Sequence, residues 1–335
     1  MQALVLTQIK KPLEWQKRAE PAPREGEVVV RLKAAALNRR DFWITQGLYP
    51  GIQTGVVLGS DGAGVVSVVG SKVASDWLER EVVINPGFEW GQHQAAQSDA
   101  FHILGMPRDG TFASEVVVPV SQLQPKPEHL NWLQAAALPL AGLTAYRALF
   151  VQGGLAPGDK VLITGIGGGV AVMALLLAVS AGAEVVVTSS APGKIQRAVG
   201  LGAVAGYDYA SKTWSQDLVK KHGRMSLMID GAAGPGYGDL LDIAAPGGKV
   251  VNYGATAGPP EKLDMFKVFW KQLHLVGSTM GSPEDFAAML NWVNDHQIKP
   301  VVDEVFPLSK GAEAVEKMKK SPQFGKYVLN CSDLA

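Results

Sequence analysis

The pattern of hydrophobic positions changes near residue 158. Before it, short apolar runs at 28–34, 64–69, 81–84 and 114–118 are separated by Gly and Pro, a pattern typical of strands in a small barrel or sandwich. After it, strand-like and helix-like stretches alternate, which predicts a parallel sheet with helices on both faces. The predicted strands are 160–164, 184–188, 226–230, 248–253 and 273–277, and the predicted helices are 170–181, 193–201, 213–222, 236–245 and 284–296.

Two further stretches complete the α/β organisation. Residues 133–150 favour a helix that is broken or kinked at Pro139, because proline removes a backbone donor. The last part returns to strand at 301–306, helix at 309–320 and strand at 326–329, and we expect it to rejoin the first domain. The predicted domains are therefore 1–125 with 301–335, and 126–300.

A glycine-dense turn follows the strand at 160–164. Gly165, Gly168 and Ala171 are spaced three apart, with Gly167 and Gly169 between them, and Val170 begins an apolar helix. Glycines let the chain turn tightly, and the first N–H groups of a helix favour an anion. A plain strand-to-helix turn is the alternative, but this setting is the one in which dinucleotide-binding proteins hold a pyrophosphate.

Composition removes several classes of partner. Lys and Arg number 31 and Asp and Glu 31, so the formal net charge is zero, and we expect neither nucleic acid nor an anionic membrane as a partner. The N-terminus lacks the pattern of a signal peptide, which favours a cytoplasmic protein. Cys331 is the one cysteine, which excludes an intramolecular disulfide and a cysteine-cluster metal site.

The motifs together resemble the medium-chain dehydrogenase/reductase superfamily, which pairs a GroES-like β-barrel with a Rossmann doubly wound parallel sheet. The resemblance rests on the glycine turn and on Ala35–Asp41, Leu58–Val66, Ala136–Tyr146, Ala245–Val251 and Phe324–Leu329. Compared with the zinc-holding alcohol dehydrogenases of that superfamily, the chain has Asn38 for the first Cys, Ser60 and Asp61 for the His-Glu pair, and Leu140 for the last Cys.

Asn, Ser and Leu are not the ligands that zinc takes in such sites. The stretch from Glu89 to Pro107, where a second zinc would lie, holds His93 and His102 but no cysteine, and exposed loop histidines are the better interpretation. The chain is therefore similar to the zinc-independent quinone oxidoreductase and enoyl reductase branch, although it is zinc-type alcohol dehydrogenase-like by fold, and we expect no metal.

The second strand of the predicted sheet leads into Thr188-Ser-Ser-Ala-Pro-Gly-Lys194, without the acid that binds NAD ribose. Ser189, Ser190 and Lys194 can instead hold a 2′-phosphate; Arg197 is equally well explained as helix-surface charge. The resemblance places Tyr209 beside the adenosine phosphate. We therefore expect NADPH rather than NADH.

The resemblance also implies the residues around the nicotinamide and the acceptor. Asn38 can donate to an acceptor carbonyl or can satisfy a turn. Tyr49 lies where enoyl reductases carry a proton-donating tyrosine, although a packed loop aromatic is an equal alternative, and for Asp41 we favour a helix cap. The expected nicotinamide contacts are Leu140, Thr144, Gly254, Ala255, Thr256, Ser278, Thr279 and Met280.

A metal-free site polarises a simple ketone poorly, whereas a quinone or enone spreads the charge that a hydride brings. The sequence thus predicts an NADPH-dependent oxidoreductase that reduces a quinone or an α,β-unsaturated carbonyl. An alcohol dehydrogenase acting on alcohols or aldehydes, and a nucleotide-binding protein with little turnover, remain alternatives. The resemblance implies a homodimer. Phe266 and Trp270 are expected in the core or a cleft wall, in a stretch that shapes a pocket or an interface, and His274 in the core.

Overall fold

The computed structural model describes residues 1–332. In chain order its strands are β1 (Gln2–Leu6), β2 (Glu14–Lys17), β3 (Glu27–Ala36), β4 (Val56–Val57), β5 (Asp61–Val69), β6 (Glu81–Ile84), β7 (Gly87–Phe88), β8 (His102–Ile103), β9 (Glu115–Pro119), β10 (Leu123–Pro125), β11 (Lys160–Ile163), β12 (Glu184–Thr188), β13 (Ala205–Tyr207), β14 (Met225–Asp230), β15 (Ala244–Asn252), β16 (His274–Gly277), β17 (Val302–Pro307) and β18 (Lys326–Asn330).

The α-helices are α1 (Arg39–Thr45), α2 (Trp132–Ala137), α3 (Pro139–Tyr146), α4 (Gly169–Ser180), α5 (Pro192–Gly200), α6 (Trp214–His222), α7 (Tyr237–Ile243), α8 (Met265–Trp270), α9 (Pro283–Asp295) and α10 (Gly311–Lys317). None of the helices in residues 1–332 has the length and apolar character needed to cross a bilayer.

The chain divides into two compact units. The first contains Met1–Ala141 together with the described residues from Gly281 onwards, and the second contains Gly142–Met280. The sequence placed the boundaries at 125 and 300 instead. In the first unit α2 packs against β3, β5 and β18, and the His129 ring lies 3.0 Å from the carbonyl of Ile298, so these segments associate with the β-rich part.

The first unit is dominated by antiparallel pairing. A large sheet runs in the order β10-β6-β5-β3-β18-β17, with β9 also paired to β3, and a smaller one in the order β2-β1-β4. Strand β3 pairs with β5 along one edge and with β9 and then β18 along the other, and its residues Val28, Val30 and Leu32 are buried. Strand β18 pairs antiparallel with β3, which confirms that the end of the chain rejoins the β-rich part.

Just after β18, Cys331 is buried with 3% exposure. Its thiol donates to the carbonyl of Leu329 over 3.8 Å. Burial raises the pKa of this thiol to about 12, since a thiolate is disfavoured away from water. The side chain therefore serves as a small apolar core residue.

The second unit is built on a parallel sheet in the order β13-β12-β11-β14-β15-β16. Its central strands are buried on both faces, as expected when helices cover both sides. Helix α4 is apolar nearly all round and largely buried, in agreement with the sequence. The strand order reverses direction next to β11, and this is where open α/β sheets bind nucleotides.

Some elements differ from the expectation. The helix predicted over 133–150 is interrupted at Leu138 and continues as a π-helical segment over Arg147–Gln152. Strand β13 and helix α8 were not predicted. The core position expected for His274 was wrong: the residue is exposed, because β16 is the last strand of its sheet. Phe266 and Trp270 are 77% and 81% exposed, which excludes the core for both and leaves the cleft wall or interface as the other expectation.

Candidate functional site

The carboxyl edge of the parallel sheet gathers most of the expected coenzyme residues. Strands β11, β12, β13, β15 and β16 end immediately before the segments that carry them. Parallel strands present their carboxyl ends on one edge, which is the edge that binds ligands in such sheets. The residues brought to it are Gly165, Gly168, Gly169 and Val170, then Ser189, Ser190 and Tyr209, then Gly254, Ala255 and Thr256, and finally Ser278, Thr279 and Met280.

The turn after β11 has the backbone of an anion-binding loop. Gly165 has φ +62° and Gly167 has φ +138°, conformations that suit glycine. The N–H of Gly165 donates to the Thr188 hydroxyl at 3.2 Å, which ties the turn to β12. A Cβ at Gly168 would meet nothing within 4 Å, so the space in front of α4 is open to a pyrophosphate. The residues present therefore fit a dinucleotide.

The end of β12 offers hydroxyl groups and no carboxylate. Ser189 is 5% exposed and its hydroxyl accepts from the N–H of Ala191 at 3.1 Å, which shapes the entry into α5. The Ser190 hydroxyl lies 3.0 Å from the phenol oxygen of Tyr209, so two predicted residues from neighbouring strands meet. Lys194 lies in the first turn of α5, half-buried.

Asp230, at the end of β14, connects three segments at this edge of the sheet and was not among the predicted site residues. Its carboxylate accepts from the Thr164 hydroxyl at 2.5 Å, from the Asn252 amide at 2.8 Å and from the N–H of Ala233 at 2.8 Å. Thr164 precedes the glycine turn and Asn252 precedes Gly254. The signal was available, since an acid closing an otherwise apolar strand is unusual.

The segment after β16 has two features of a ligand contact. The Ser278 hydroxyl is buried and has no hydrogen-bond partner in the described part of the chain, an arrangement that favours a bound group. Met280 has φ +41°, a strained conformation for a residue with a Cβ. Its sulfur accepts from the Thr144 hydroxyl at 3.8 Å, so two predicted nicotinamide contacts touch each other.

The first unit holds a buried charged cluster around Asn38. Asn38 is the N-cap of α1, Asp61 begins β5 and Lys326 begins β18. The Lys326 ammonium lies 2.6 Å from the Asn38 Oδ1 and 2.8 Å from the Asp61 Oδ2, and the Asn38 Nδ2 lies 2.9 Å from that same oxygen. Lys326 lies within the Phe324–Leu329 motif, and no sequence pattern around it predicts a role for its side chain.

Leu140 belongs to the same cluster through its backbone. Its N–H donates to the Asp61 Oδ1 at 2.8 Å, and the Thr111 hydroxyl donates to the Asp61 carbonyl at 2.8 Å. Asp61 is fully buried. Every oxygen of this residue is therefore engaged by the protein itself, as burial of a charge requires.

Arg40 connects Tyr49 to the strand that carries Asp61. Its guanidinium donates to the Ser60 hydroxyl at 2.8 Å and to the Leu104 carbonyl at 3.0 Å. It lies 5.0 Å from the centre of the Tyr49 ring, and its Nε lies 3.4 Å from the phenol oxygen. The half-buried Tyr49 is thus held by a cation over its face, which fixes where its hydroxyl lies.

Asp41 has the helix-capping contact that the sequence favoured. Its Oδ2 accepts from the N–H of Asn38 at 2.8 Å, while its Oδ1 is buried without a partner. Burial raises the pKa of Asp41 to about 6, against the opposing charges of Arg40 and Lys326. The residue therefore stabilises the start of α1, where it accepts from the backbone of Asn38.

The donor set at the positions of the family's zinc ligands does not fit zinc. Leu140 offers no ligand atom, and Lys326 places an ammonium against the one carboxylate present. Within residues 1–332 no three His, Cys, Asp or Glu side chains are grouped as a metal site requires. His93 is exposed, and His102 stacks on Phe88 with ring centres 5.2 Å apart.

Comparisons with known proteins agree with this organisation. The family description "Alcohol dehydrogenase GroES-like domain" matches residues 24–128 and "Zinc-binding dehydrogenase" matches residues 169–295. The GroES-like and Rossmann-type fold predicted from the sequence is thereby confirmed.

Among individual proteins, the zinc-type alcohol dehydrogenase-like protein YogA of Leptosphaeria maculans is 34% identical over 96% of this chain and 95% of its own. The acryloyl-coenzyme A reductase of Sulfurisphaera tokodaii is 28% identical over 98% of this chain and 99% of its own. A crystal structure of an NAD-dependent alcohol dehydrogenase superposes with a TM-score of 0.93 and 36% identity, covering 98% of this chain and 99% of the other.

Proposed function

Because the chain belongs to the medium-chain dehydrogenase/reductase superfamily and is an oxidoreductase of its zinc-type alcohol dehydrogenase-like group, we propose that it reduces a quinone or an α,β-unsaturated carbonyl with NADPH and without zinc. The observation that carries the proposal is the ion pair between the Lys326 ammonium and Asp61, which stands at the position of a zinc ligand. Without a Lewis acid, an acceptor that spreads its developing charge by conjugation is the most readily reduced. The name of the acryloyl-coenzyme A reductase relative supports the enoyl side of this proposal.

The reduced nicotinamide supplies a hydride when NADPH is bound. In an enone the hydride adds at the β-carbon, the double-bond electrons move onto the carbonyl oxygen, and the resulting enolate takes a proton at the α-carbon. Asn38 is proposed to donate a hydrogen bond to that oxygen, since its amide N–H is a preorganised donor near developing charge. Tyr49 is the proposed proton donor, with Arg40 holding its hydroxyl in place, and the phenolate regains a proton from solvent.

The coenzyme preference rests on the end of β12. No carboxylate follows this strand to bind ribose hydroxyls or to repel a 2′-phosphate, and Ser190 and Tyr209 present hydroxyls 3.0 Å apart there. We expect kcat/KM to be at least about tenfold higher with NADPH than with NADH, the effect of one charge-assisted contact. Steady-state kinetics with both coenzymes measure this ratio; a preference for NADH, as in the NAD-dependent structural relative, would contradict it.

The reaction itself is tested with a panel of acceptors. The protein, treated with EDTA and freed of the chelator, should oxidise NADPH when given a quinone or an enone, and added zinc should not raise the rate. The matched assay supplies a primary alcohol with NADP⁺. Activity that disappears on chelation and returns with zinc would refute the proposal, and turnover of alcohols alone would favour the alcohol dehydrogenase alternative.

The homodimer is also part of the proposal. Strand β16 ends the parallel sheet, so its outer edge can pair with another strand. Helix α8, just before it, exposes Phe266, Phe269 and Trp270 by 77%, 61% and 81%. Apolar side chains exposed together mark an interaction surface, and an edge strand paired across a twofold axis makes a second copy of this chain the proposed occupant.

A further inference from the structure

Lys326 is held in a closed triangle of short contacts. Its side chain is 5% exposed, its ammonium contacts Asn38 and Asp61 at 2.6 Å and 2.8 Å, and those two residues contact each other at 2.9 Å. A buried lysine needs such partners because an isolated buried charge is very costly. The triangle joins the starts of α1, β5 and β18.

The ammonium determines which way the Asn38 amide faces. An ammonium only donates, so at 2.6 Å it must meet the amide oxygen rather than the NH₂ group. The Nδ2 then gives one hydrogen to Asp61, and its second hydrogen has no acceptor among the residues that the structure describes. The Asp61 carboxylate only accepts and so favours the same orientation, and the ammonium adds the contact that holds the amide oxygen in place.

The same ammonium has a donor to spare. Two of its three hydrogens are taken by Asn38 and Asp61, and no other side chain or carbonyl within residues 1–332 takes the third. Both Asp61 carboxylate oxygens already accept hydrogen bonds, one from Leu140 and the other from Asn38 and Lys326. A metal cation would therefore have to displace the ammonium to reach Asp61.

We propose that Lys326 is a positioning residue that provides, from within the chain, the cation of this site: it neutralises Asp61, turns the Asn38 amide N–H toward the acceptor oxygen and keeps a metal out. This inference rests on the proposed reductase function for its kinetic consequence. Lys326, on the last strand, would thus be the cation beside Asp61, where other members of the family hold zinc. Lys326 acts through Asn38, so the two should not contribute independently.

The variant Lys326→Met removes the charge and keeps the length of the side chain, whereas Lys326→Arg keeps a cation. With an enone at saturating NADPH, we expect Lys326→Met to lower kcat by about 10²-fold, the typical loss of one donor to developing charge, while the Kd for NADPH changes by less than about threefold. Lys326→Arg should recover part of the kcat. The surface variant Lys310→Met, which removes only an exposed pair with Glu313, is the matched control and should leave kcat unchanged.

Lys326→Met leaves the buried Asp61 carboxylate without its counter-ion, so a second variant separates folding from positioning. In Lys326→Met/Asp61→Asn the buried charge is gone, and the thermal unfolding temperature lost in the single variant should return while kcat stays low. Recovery of kcat together with stability would show a structural role only and would overturn the proposal.

Coupling to Asn38 is the third measurement. The kcat of Lys326→Met/Asn38→Ala should lie within about threefold of the kcat of the slower single variant, because both changes remove the same oriented donor. If the decrease in kcat of the double variant equalled the product of the decreases of the two single variants, the claim that Lys326 acts through Asn38 would be overturned. If the wild type oxidises alcohols instead of reducing enones, the proposed reductase function fails. The same variants measured for alcohol turnover then still decide the role of Lys326. A wild type without turnover on either panel overturns both the reductase function and the role of Lys326.

Discussion

At Asp41, burial and capping act in opposite directions. The carboxylate accepts from the N–H of Asn38, which stabilises the start of α1, yet one of its oxygens is buried without a partner. Burial raises its pKa to about 6, so the folded protein binds this proton more tightly than the unfolded chain. Ionised Asp41 therefore lowers stability above pH 6, by up to about 3 kcal/mol, and this cost disappears as pH falls from 6 toward 4.

Asp41→Asn should remove that pH dependence. An asparagine oxygen can still accept from Asn38, so we expect the variant to be more stable than the wild type at pH 8 and to lose this advantage between pH 6 and 4. Urea unfolding at several pH values measures the difference in free energy of unfolding. Asp76→Asn, at an exposed residue paired with Arg80, is the control. A variant less stable than the wild type across this whole range would contradict the assignment.

At the scale of elements, the carboxyl edge of the parallel sheet depends on Asp230. One carboxylate receives hydrogen bonds from the loops that follow β11 and β14 and from the last residue of β15. The Tyr237 hydroxyl extends this network by donating to the Asn252 amide oxygen at 2.7 Å, and burial raises the pKa of Tyr237 to about 12, so it remains a donor. The loops expected to bind the coenzyme thus share one anchor.

Asp230→Asn should therefore weaken coenzyme binding indirectly, by loosening the loops that Asp230 connects. The amide that replaces the carboxylate cannot accept from all three donors, and we expect the Kd for NADPH to rise at least about tenfold, the equivalent of roughly one lost hydrogen bond to a charged group. Quenching of tryptophan fluorescence during a titration with NADPH gives the Kd. The control Asp217→Asn, at an exposed position of α6, should bind NADPH as the wild type does. An unchanged Kd in Asp230→Asn would refute the shared role of Asp230.

The elements that were predicted well from the sequence are those whose own apolar residues indicate that they are buried. The valine-rich strand β12, the largely apolar strand β14 and the apolar helix α4 are recognisable from local pattern. Helix α8 was not predicted because it is short and almost entirely apolar, so its sequence shows no alternation of polar and apolar faces. Such a pattern indicates burial, whereas its aromatic side chains are exposed. Lys326 and Asp230 were given no role because their function arises from residues distant in the chain, and only the fold shows which partners they meet.

For the whole molecule, the exposed aromatic residues of α8 beside the free edge of β16 predict self-association. Trp270→Glu with Phe266→Glu should convert a dimer into a monomer in sedimentation velocity experiments at micromolar concentration, because the charges would be buried at the interface without partners. Val204→Glu, at a 51% exposed position next to β13 on the opposite edge of the sheet, should leave the sedimentation coefficient unchanged. A wild type that sediments as a monomer would contradict the proposed interface.

The burial of Cys331 has a practical consequence for following this molecule in solution. A thiol that is 3% exposed and has a pKa of about 12 should resist alkylating dyes under native conditions, since the thiolate is the reactive form. A cysteine introduced at an exposed position of either unit would then be the point at which a fluorophore attaches. The native residue could stay in place while the emission of that fluorophore reports whether added coenzyme changes its surroundings.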